Sequence, residues 1–212
     1  MNWHYDGEIQ IKKLEIRPFG TNCYIIVCPQ SGEGVIVDTP GEASMILQQA
    51  ADIRVKYIII THTHFDHLAA FSEIRDNIKA SVAIHHLEAG ALPSTPDVIL
   101  DGGDVVTFGT VKLRVLHTPG HTAGSLCLLT GKHLFSGDTL FPGGPGKTGS
   151  PDAFKQIIHS ITEKLFVLPD DTSVYPGHGE DTMLGKEKRE YAIFSSRARS
   201  PGLCSDVLWL SA

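Results

Sequence analysis

Cysteine is scarce in this chain and never paired in spacing. Cys23, Cys28, Cys127 and Cys204 form no CxxC, and Cys23 and Cys127 lie inside apolar runs that read as strands. That argues against a zinc knuckle or a disulfide framework and for small buried hydrophobes. Long apolar runs are missing too. No segment approaches the length of a membrane span, and Met1-Asn2-Trp3-His4-Tyr5-Asp6 has neither the basic nor the apolar region of a signal peptide. A cytoplasmic protein with no membrane partner is expected. An excess of positive charge is also absent: Lys and Arg number 18 against 24 Asp and Glu, for a formal net charge of −6. Nothing in that balance attracts nucleic acid.

What is present is an apolar content of 42% over 212 residues, ordinary for a soluble globular protein. The length suits one substantial domain, 1–212, and would crowd two; a monomer or homodimer is expected. The 21 glycines and 12 prolines imply many turns. Residues 8–38 read as β, interrupted by turn signals at Arg17-Pro18-Phe19-Gly20 and Pro29-Gln30-Ser31-Gly32. Residues 42–52 carry apolar side chains at helical spacing, and a strand over 56–60 leads to a helix over about 68–77. Further strands are expected at 81–84, 104–108, 111–117, 125–130, 133–136 and 172–175, and 93–103 reads as turns. Pro142-Gly143-Gly144-Pro145-Gly146 reads as a loop too flexible for regular structure. Pro151 opens a helix to about 164. Residues 182–191 suggest a charged, exposed helix, and the tail Val207-Leu208-Trp209-Leu210 is apolar enough to dock. This order, two β-rich blocks each with helices, predicts an α/β fold of four layers, with two sheets packed together and helices outside each.

The chain is organised around Thr61-His62-Thr63-His64-Phe65-Asp66-His67, which directly follows the apolar strand Tyr57-Ile58-Ile59-Ile60. Four candidate metal ligands thus fall within six positions at a strand end. Three later segments each place one ligand at a strand end beside glycine: Pro119-Gly120-His121-Thr122, Ser136-Gly137-Asp138-Thr139 and Pro176-Gly177-His178-Gly179. Glycine allows sharp turns close to a shared centre. Imidazole and carboxylate together suit Zn, or Fe or Mn. His62, His64, Asp66, His67, His121, Asp138 and His178 make seven ligands, more than one ion needs, so two divalent ions sharing one aspartate are expected.

His62-x-His64-x-Asp66-His67, with His121, Asp138 and His178 following in that order, resembles the full signature of the metallo-β-lactamase superfamily over about residues 22–185. The resemblance implies an αββα sandwich with the metals at one edge. It implies that His62, His64 and His121 hold one ion, that Asp66, His67 and His178 hold the other, and that Asp138 bridges them. Within the superfamily the chain is most similar to short members of the glyoxalase II (hydroxyacylglutathione hydrolase) branch, through Thr118-Pro119-Gly120-His121-Thr122 and Gly137-Asp138-Thr139-Leu140-Phe141. Gly144-Pro145-Gly146-Lys147 resembles the loop whose lysine contacts glutathione there. The implied reaction is hydrolysis of a thioester such as S-lactoylglutathione, a small-molecule substrate, by hydroxide bridging the two ions, with Asp66 as the residue that orients the hydroxide. Departures are Ala69-Ala70 in place of Gly-Gly, Gly149 in place of a tyrosine, and no C-terminal helical domain to grip glutathione.

Alternatives on the same fold are a mononuclear iron persulfide dioxygenase using His62, His121 and Asp138, and a lactonase or other ester hydrolase. A non-catalytic metal scaffold is disfavoured by the complete ligand set, and a nuclease by acidity. Tyr175, just before the last ligand, is a candidate for the pocket wall, although packing is the preferred reading. His85-His86 reads as a solvated or hydrogen-bonded pair, and His4, His117, His133 and His159 as structural.

Overall fold

The computed structural model describes residues 3–198 and 200–211. Seven strands form the first sheet: β1 (Tyr5–Asp6), β2 (Gln10–Ile16), β3 (Thr21–Val27), β4 (Glu33–Val37), β5 (Arg54–Ile59), β6 (Ser81–His85) and β7 (Val98–Leu100). They lie in chain order, antiparallel from β1 to β4 and parallel from β4 to β7. The second sheet contains β8 (Val105–Phe108), β9 (Val111–His117), β10 (Leu126–Thr130) and β11 (His133–Gly137). After a two-stranded ribbon of β12 (Leu140–Phe141) and β13 (Gly144–Pro145), the chain returns to it with β14 (Ser173–Pro176) and β15 (Thr182–Met183). The order across this sheet is β15-β14-β11-β10-β9-β8.

Alternation along the strands builds the layers. Tyr24 and Ile26 of β3 face the second sheet, while Cys23, Ile25 and Val27 face outward onto helices α1 (Ala43–Ala50) and α3 (Phe71–Asn77). In the second sheet Leu126 and Leu128 meet the first, and Cys127 points outward to α4 (Pro151–Ser160). Three apolar layers therefore separate helices, sheet, sheet and helices, the four-layer αββα sandwich expected. β3 is buried on both faces, and each fully buried isoleucine there contributes about 1.5–3 kcal/mol. Ser150 caps α4 by accepting from the Ala153 amide at 3.2 Å, and Pro151 occupies the first turn. The outer layer of the second sheet is closed by α5 (Leu184–Ser195) and the docked tail, whose Trp209 is fully buried against Tyr191 and Phe194. No helix among the described residues is long and apolar enough to cross a membrane.

Four expectations need correction. The helix after the histidine motif begins earlier, as α2 (Phe65–Leu68), and breaks at Ala69-Ala70 before α3, so Asp66 and His67 are helical. The 93–103 stretch includes β7, an edge strand paired with β6. Gly144–Pro145 is not irregular but pairs with Leu140–Phe141. α5 is not simply a solvated face: Glu187 is completely buried, accepting from the Thr182 hydroxyl at 2.7 Å and the Gly143 amide at 2.8 Å. These donors, with the Lys186 ammonium 3.1 Å from Oε1, compensate the cost of burying its charge.

Candidate metal centre

All seven expected ligands converge at one edge of the sandwich, where strands of both sheets end. The convergence begins at Asp38, immediately after β4, in the left-handed region with φ 59°. Its carboxylate accepts from the Thr61 amide at 2.8 Å and the Thr61 hydroxyl at 2.7 Å, fastening the start of the histidine loop to the neighbouring strand end. His64 then caps α2, whose first turn closes with the His67 amide donating to the His64 carbonyl at 3.0 Å. Glycine is needed where the loops crowd. At Gly120 φ is +140°, and a Cβ would lie 2.4 Å from Ile157; at Gly177 a Cβ would lie 2.1 Å from Asp138 Oδ1.

Hydrogen bonds behind the rings decide which nitrogen faces inward. His121 Nδ1 lies 2.8 Å from the Lys147 carbonyl and His178 Nδ1 lies 3.3 Å from the Phe19 carbonyl. A carbonyl only accepts, so both Nδ1 atoms carry the proton and both Nε2 atoms keep a lone pair. His67 Nδ1 likewise donates to Asp38 Oδ2 at 2.8 Å. The Thr61 hydroxyl donates to Asp38, so its oxygen is free to accept from His62 Nδ1 at 3.1 Å. The Nε2 atoms of four imidazoles, plus Nδ1 of His64, thus point at a common region.

They sort into two groups. The facing nitrogens of His62, His64 and His121 lie 2.9–3.2 Å apart. Nitrogens held about 2.05 Å from one tetrahedral ion would sit roughly 3.3 Å apart, so the set fits. In the second group His178 Nε2 lies 3.3 Å from His67 Nε2 and 3.1 Å from Asp66 Oδ2. Thr21 steadies Asp66 through a 2.9 Å hydroxyl bond. Asp138 stands between the groups, with Oδ1 3.4 Å from His67 and Oδ2 3.4 Å from His121 and 3.6 Å from His178. Its Oδ1 is buried and accepts no hydrogen bond among the described residues. Converging lone pairs around an unsatisfied buried carboxylate oxygen are the arrangement a divalent cation satisfies.

The electrostatics leave the first group neutral, whereas His67 carries a second proton on Nε2 that a bound cation must displace. Burial and the neighbouring His67 push His62 well below the usual histidine range. Burial and His121 lower His64 as well. His67 moves the other way, to about 10: burial opposes its charge, but the carboxylates of Asp38 and Asp138 override that penalty. Burial likewise opposes ionisation of Asp138, yet the surrounding imidazoles, His67 foremost, hold its carboxyl far below the carboxylate range.

Lys147 is exposed on the rim of a cavity of about 330 Å³ that also touches His121, Asp138 and His178. The far wall is the docked tail, Asp206, Val207 and Leu208. Tyr175 is not in this pocket. It is buried between the sheets, stacked on Phe135 with its hydroxyl 2.9 Å from His133 Nδ1, because strand alternation in β14 turns it inward. His85 and His86 group with Asp101 apart from the seven ligands. The Leu87 amide donates to His85 Nδ1 at 3.2 Å, while the buried Nε2, 3.1 Å from an Asp101 oxygen, makes no hydrogen bond among the described residues.

Two supporting carboxylates escaped the sequence reading. Asp38 carried one available signal, an aspartate closing an apolar strand just as Asp138 does. Glu88 carried none. It is buried, and its oxygens accept from the Thr63 amide at 3.1 Å, the Thr63 hydroxyl at 2.5 Å and the Gly124 amide at 2.9 Å, tying the His62–His64 loop to the loop after His121. Burial would raise its pKa, but these donors and Thr122 hold it below the ordinary value of 4.5. Glu88→Ala, which orphans two buried amides, is expected to cost about 3 kcal/mol, or roughly 6–12 °C in Tm. Because the folded pKa is depressed, the ionic contribution is complete above pH 4.5 and fades as the pH falls through the lower folded value. Thermal melts of wild type and Glu88→Gln across pH 3–7 should therefore converge toward the acid end; a constant gap would refute the ionic account.

Comparison with known proteins follows the geometry. The family model described as the metallo-beta-lactamase superfamily matches residues 16–178. The hydroxyacylglutathione hydrolase GloC of Haemophilus influenzae is 29% identical over 213 residues, covering 90% of this chain and 100% of that one. Among solved structures, ETHE1 from Myxococcus xanthus superposes with a TM-score of 0.79 at 31% identity, covering 89% of this chain and 85% of its own. TTHA1623, solved in a di-iron-bound form, gives 0.74 at 31% identity over 84% and 97%.

Proposed function

Because the chain belongs to the metallo-beta-lactamase superfamily, we propose that it is a two-metal hydrolase that cleaves a small thioester of the S-lactoylglutathione kind. The observation that carries the two-metal reading is Asp138, which lies between the two ligand groups, with Oδ2 3.4 Å from His121 in one and 3.6 Å from His178 in the other. His62, His64 and His121 would hold one ion, Asp66, His67 and His178 the other, with Asp138 shared. Zn fits this nitrogen and oxygen set, and Fe and Mn fit it as well. The di-iron form of TTHA1623 supports two ions without choosing between them. Bound divalent cations supply Lewis acidity, lowering the pKa of water from 15.7 toward ~7 and polarising a carbonyl.

The chain's own residues do the rest. Asp66, held by Thr21, presents its carboxylate where it can accept a hydrogen bond from the attacking water and fix the direction of attack. Lys147 offers an ammonium group at the cavity rim to a carboxylate on the thiol carrier. Val207 and Leu208 close the opposite wall and displace water from the bound carrier. A thiol of pKa near 8.5 leaves as thiolate without a strong acid.

A single-iron persulfide dioxygenase is the rival, favoured by His62, His121 and Asp138 forming a two-histidine, one-carboxylate set. One experiment separates them. Metal content is measured on purified protein, which is then assayed on S-lactoylglutathione and, with oxygen uptake, on glutathione persulfide. Two ions per chain and thioester turnover are expected. One iron with oxygen consumption would sink the hydrolase reading.

A further inference from the structure

Two large apolar side chains stand in solvent beside the metal centre, and no core layer claims them. Phe19, on the turn between β2 and β3, is 56% exposed; Phe65, at the start of α2, is 72% exposed. Their rings meet edge to face with centroids 6.4 Å apart. Both are anchored to the ligands themselves: the Phe19 carbonyl takes the His178 Nδ1 proton, and Phe65 is the residue between His64 and Asp66. Neither lines the Lys147 cavity, but Phe141 does, and its ring lies 6.2 Å from that of His178. His178 therefore meets the Phe141 ring on its cavity side and, through Nδ1, the backbone of the turn that carries Phe19. Paired aromatic rings left wet at the edge of a reaction centre are a binding feature more than a packing one.

We propose that Phe19 and Phe65 form the acyl subsite of this enzyme, and that its substrates are thioesters with apolar acyl groups, short alkyl or aromatic, rather than polar hydroxyacyl groups. The inference rests on the thioester reading above. A thioester whose carrier lies toward Lys147 and whose carbonyl lies between the ligand groups directs its acyl chain toward Asp66, next to Phe65 in the chain, and toward His178, bonded to the Phe19 carbonyl. The chain covers exposed aromatic surface there, and each added methylene leaves water.

The test uses the metal-loaded full chain and glutathione thioesters of acetyl, butanoyl, hexanoyl, benzoyl and D-lactoyl groups. A fully buried methylene is worth about fourfold, so one packed on a half-open surface should raise kcat/KM about twofold, mainly through KM, up to hexanoyl. Phe19→Ala and Phe65→Ala should each flatten that slope, and the double variant should abolish it. Phe65→Leu, which keeps apolar area beside His64 and Asp66, should restore part of it; metal content measured on each variant separates a lost subsite from a disturbed centre. Turnover of every ester with no dependence on chain length, or a slope that survives in the double variant, overturns the subsite while leaving the thioester reading standing. No turnover of any ester sinks the thioester reading itself, and the subsite with it.

Discussion

Asp138→Asn should leave a folded protein that retains at most one metal ion per chain and hydrolyses thioesters at least ~10³-fold more slowly, a loss of about 4 kcal/mol in transition-state stabilisation. The side chain is 8% exposed and is faced by nitrogens of His62, His67, His121 and His178 at 3.4–3.9 Å. As a carboxylate it supplies the only negative charge positioned between the two ligand groups. Asparagine keeps the shape but removes the charge, and its amide must turn two N–H bonds toward one group or the other. Two dications brought close together then lack their shared counter-charge, and the more weakly held one is lost. Elemental analysis gives the stoichiometry, and steady-state kinetics on the thioester gives the rate. Circular dichroism distinguishes a vacated site from a failure to fold. Retention of two ions with activity within tenfold of wild type would refute the bridging role.

Much of this centre was legible because its signals are local. His62, His64, Asp66 and His67 fall within six positions after an apolar strand, and the candidate ligands at 121, 138 and 178 each sit beside glycine after a strand. Strand periodicity likewise exposed the two sheets, since every buried face needs its apolar residues at alternate positions. What stayed hidden depends on distant partners. Glu88 looks like any surface glutamate until Thr63 and Gly124, 25 and 36 residues away, bring their donors to it. Glu187 looks solvated for the same reason, its partner Gly143 lying 44 residues back. Tyr175 shows the converse case: adjacency to a ligand segment made it a candidate for the pocket wall, but alternation in β14 sends the ring into the inter-sheet core, the packed position preferred for it. Gly144–Pro145 reads as a coil by composition, yet the ribbon is fixed from outside, by Glu187 on the Gly143 amide and by the Trp209 amide on the Gly143 carbonyl at 2.7 Å. The tail thereby shapes the Lys147 loop, an effect that no window of local sequence contains.

Asp38→Asn should weaken binding of the ion nearest His67 by about 10–100-fold and lower stability by roughly 3 kcal/mol, although residue 38 is not itself among the seven ligands. Asp38 is 2% exposed and accepts three hydrogen bonds, at Oδ1 from the Thr61 amide and at Oδ2 from the Thr61 hydroxyl and His67 Nδ1. An asparagine amide cannot reproduce this in either orientation. With its NH₂ in place of Oδ1, it confronts the Thr61 N–H, a buried donor that cannot turn away. With its NH₂ in place of Oδ2, it confronts the His67 Nδ1 proton, and the imidazole escapes by moving that proton to Nε2. That shift removes the lone pair His67 directs toward Asp138 and His178, so loss of metal follows from loss of the tautomer. Competition with a chelator measures the affinity, and long-range ¹H–¹⁵N correlation of the zinc-loaded protein reports which ring nitrogen of His67 carries hydrogen. Asp38→Ala provides the control: it costs stability but places no donor against His67, so its Nδ1 tautomer has no reason to invert. Affinity within threefold of wild type in Asp38→Asn, or an unchanged His67 tautomer beside weakened binding, would show that Asp38 braces the loop without setting the ligand.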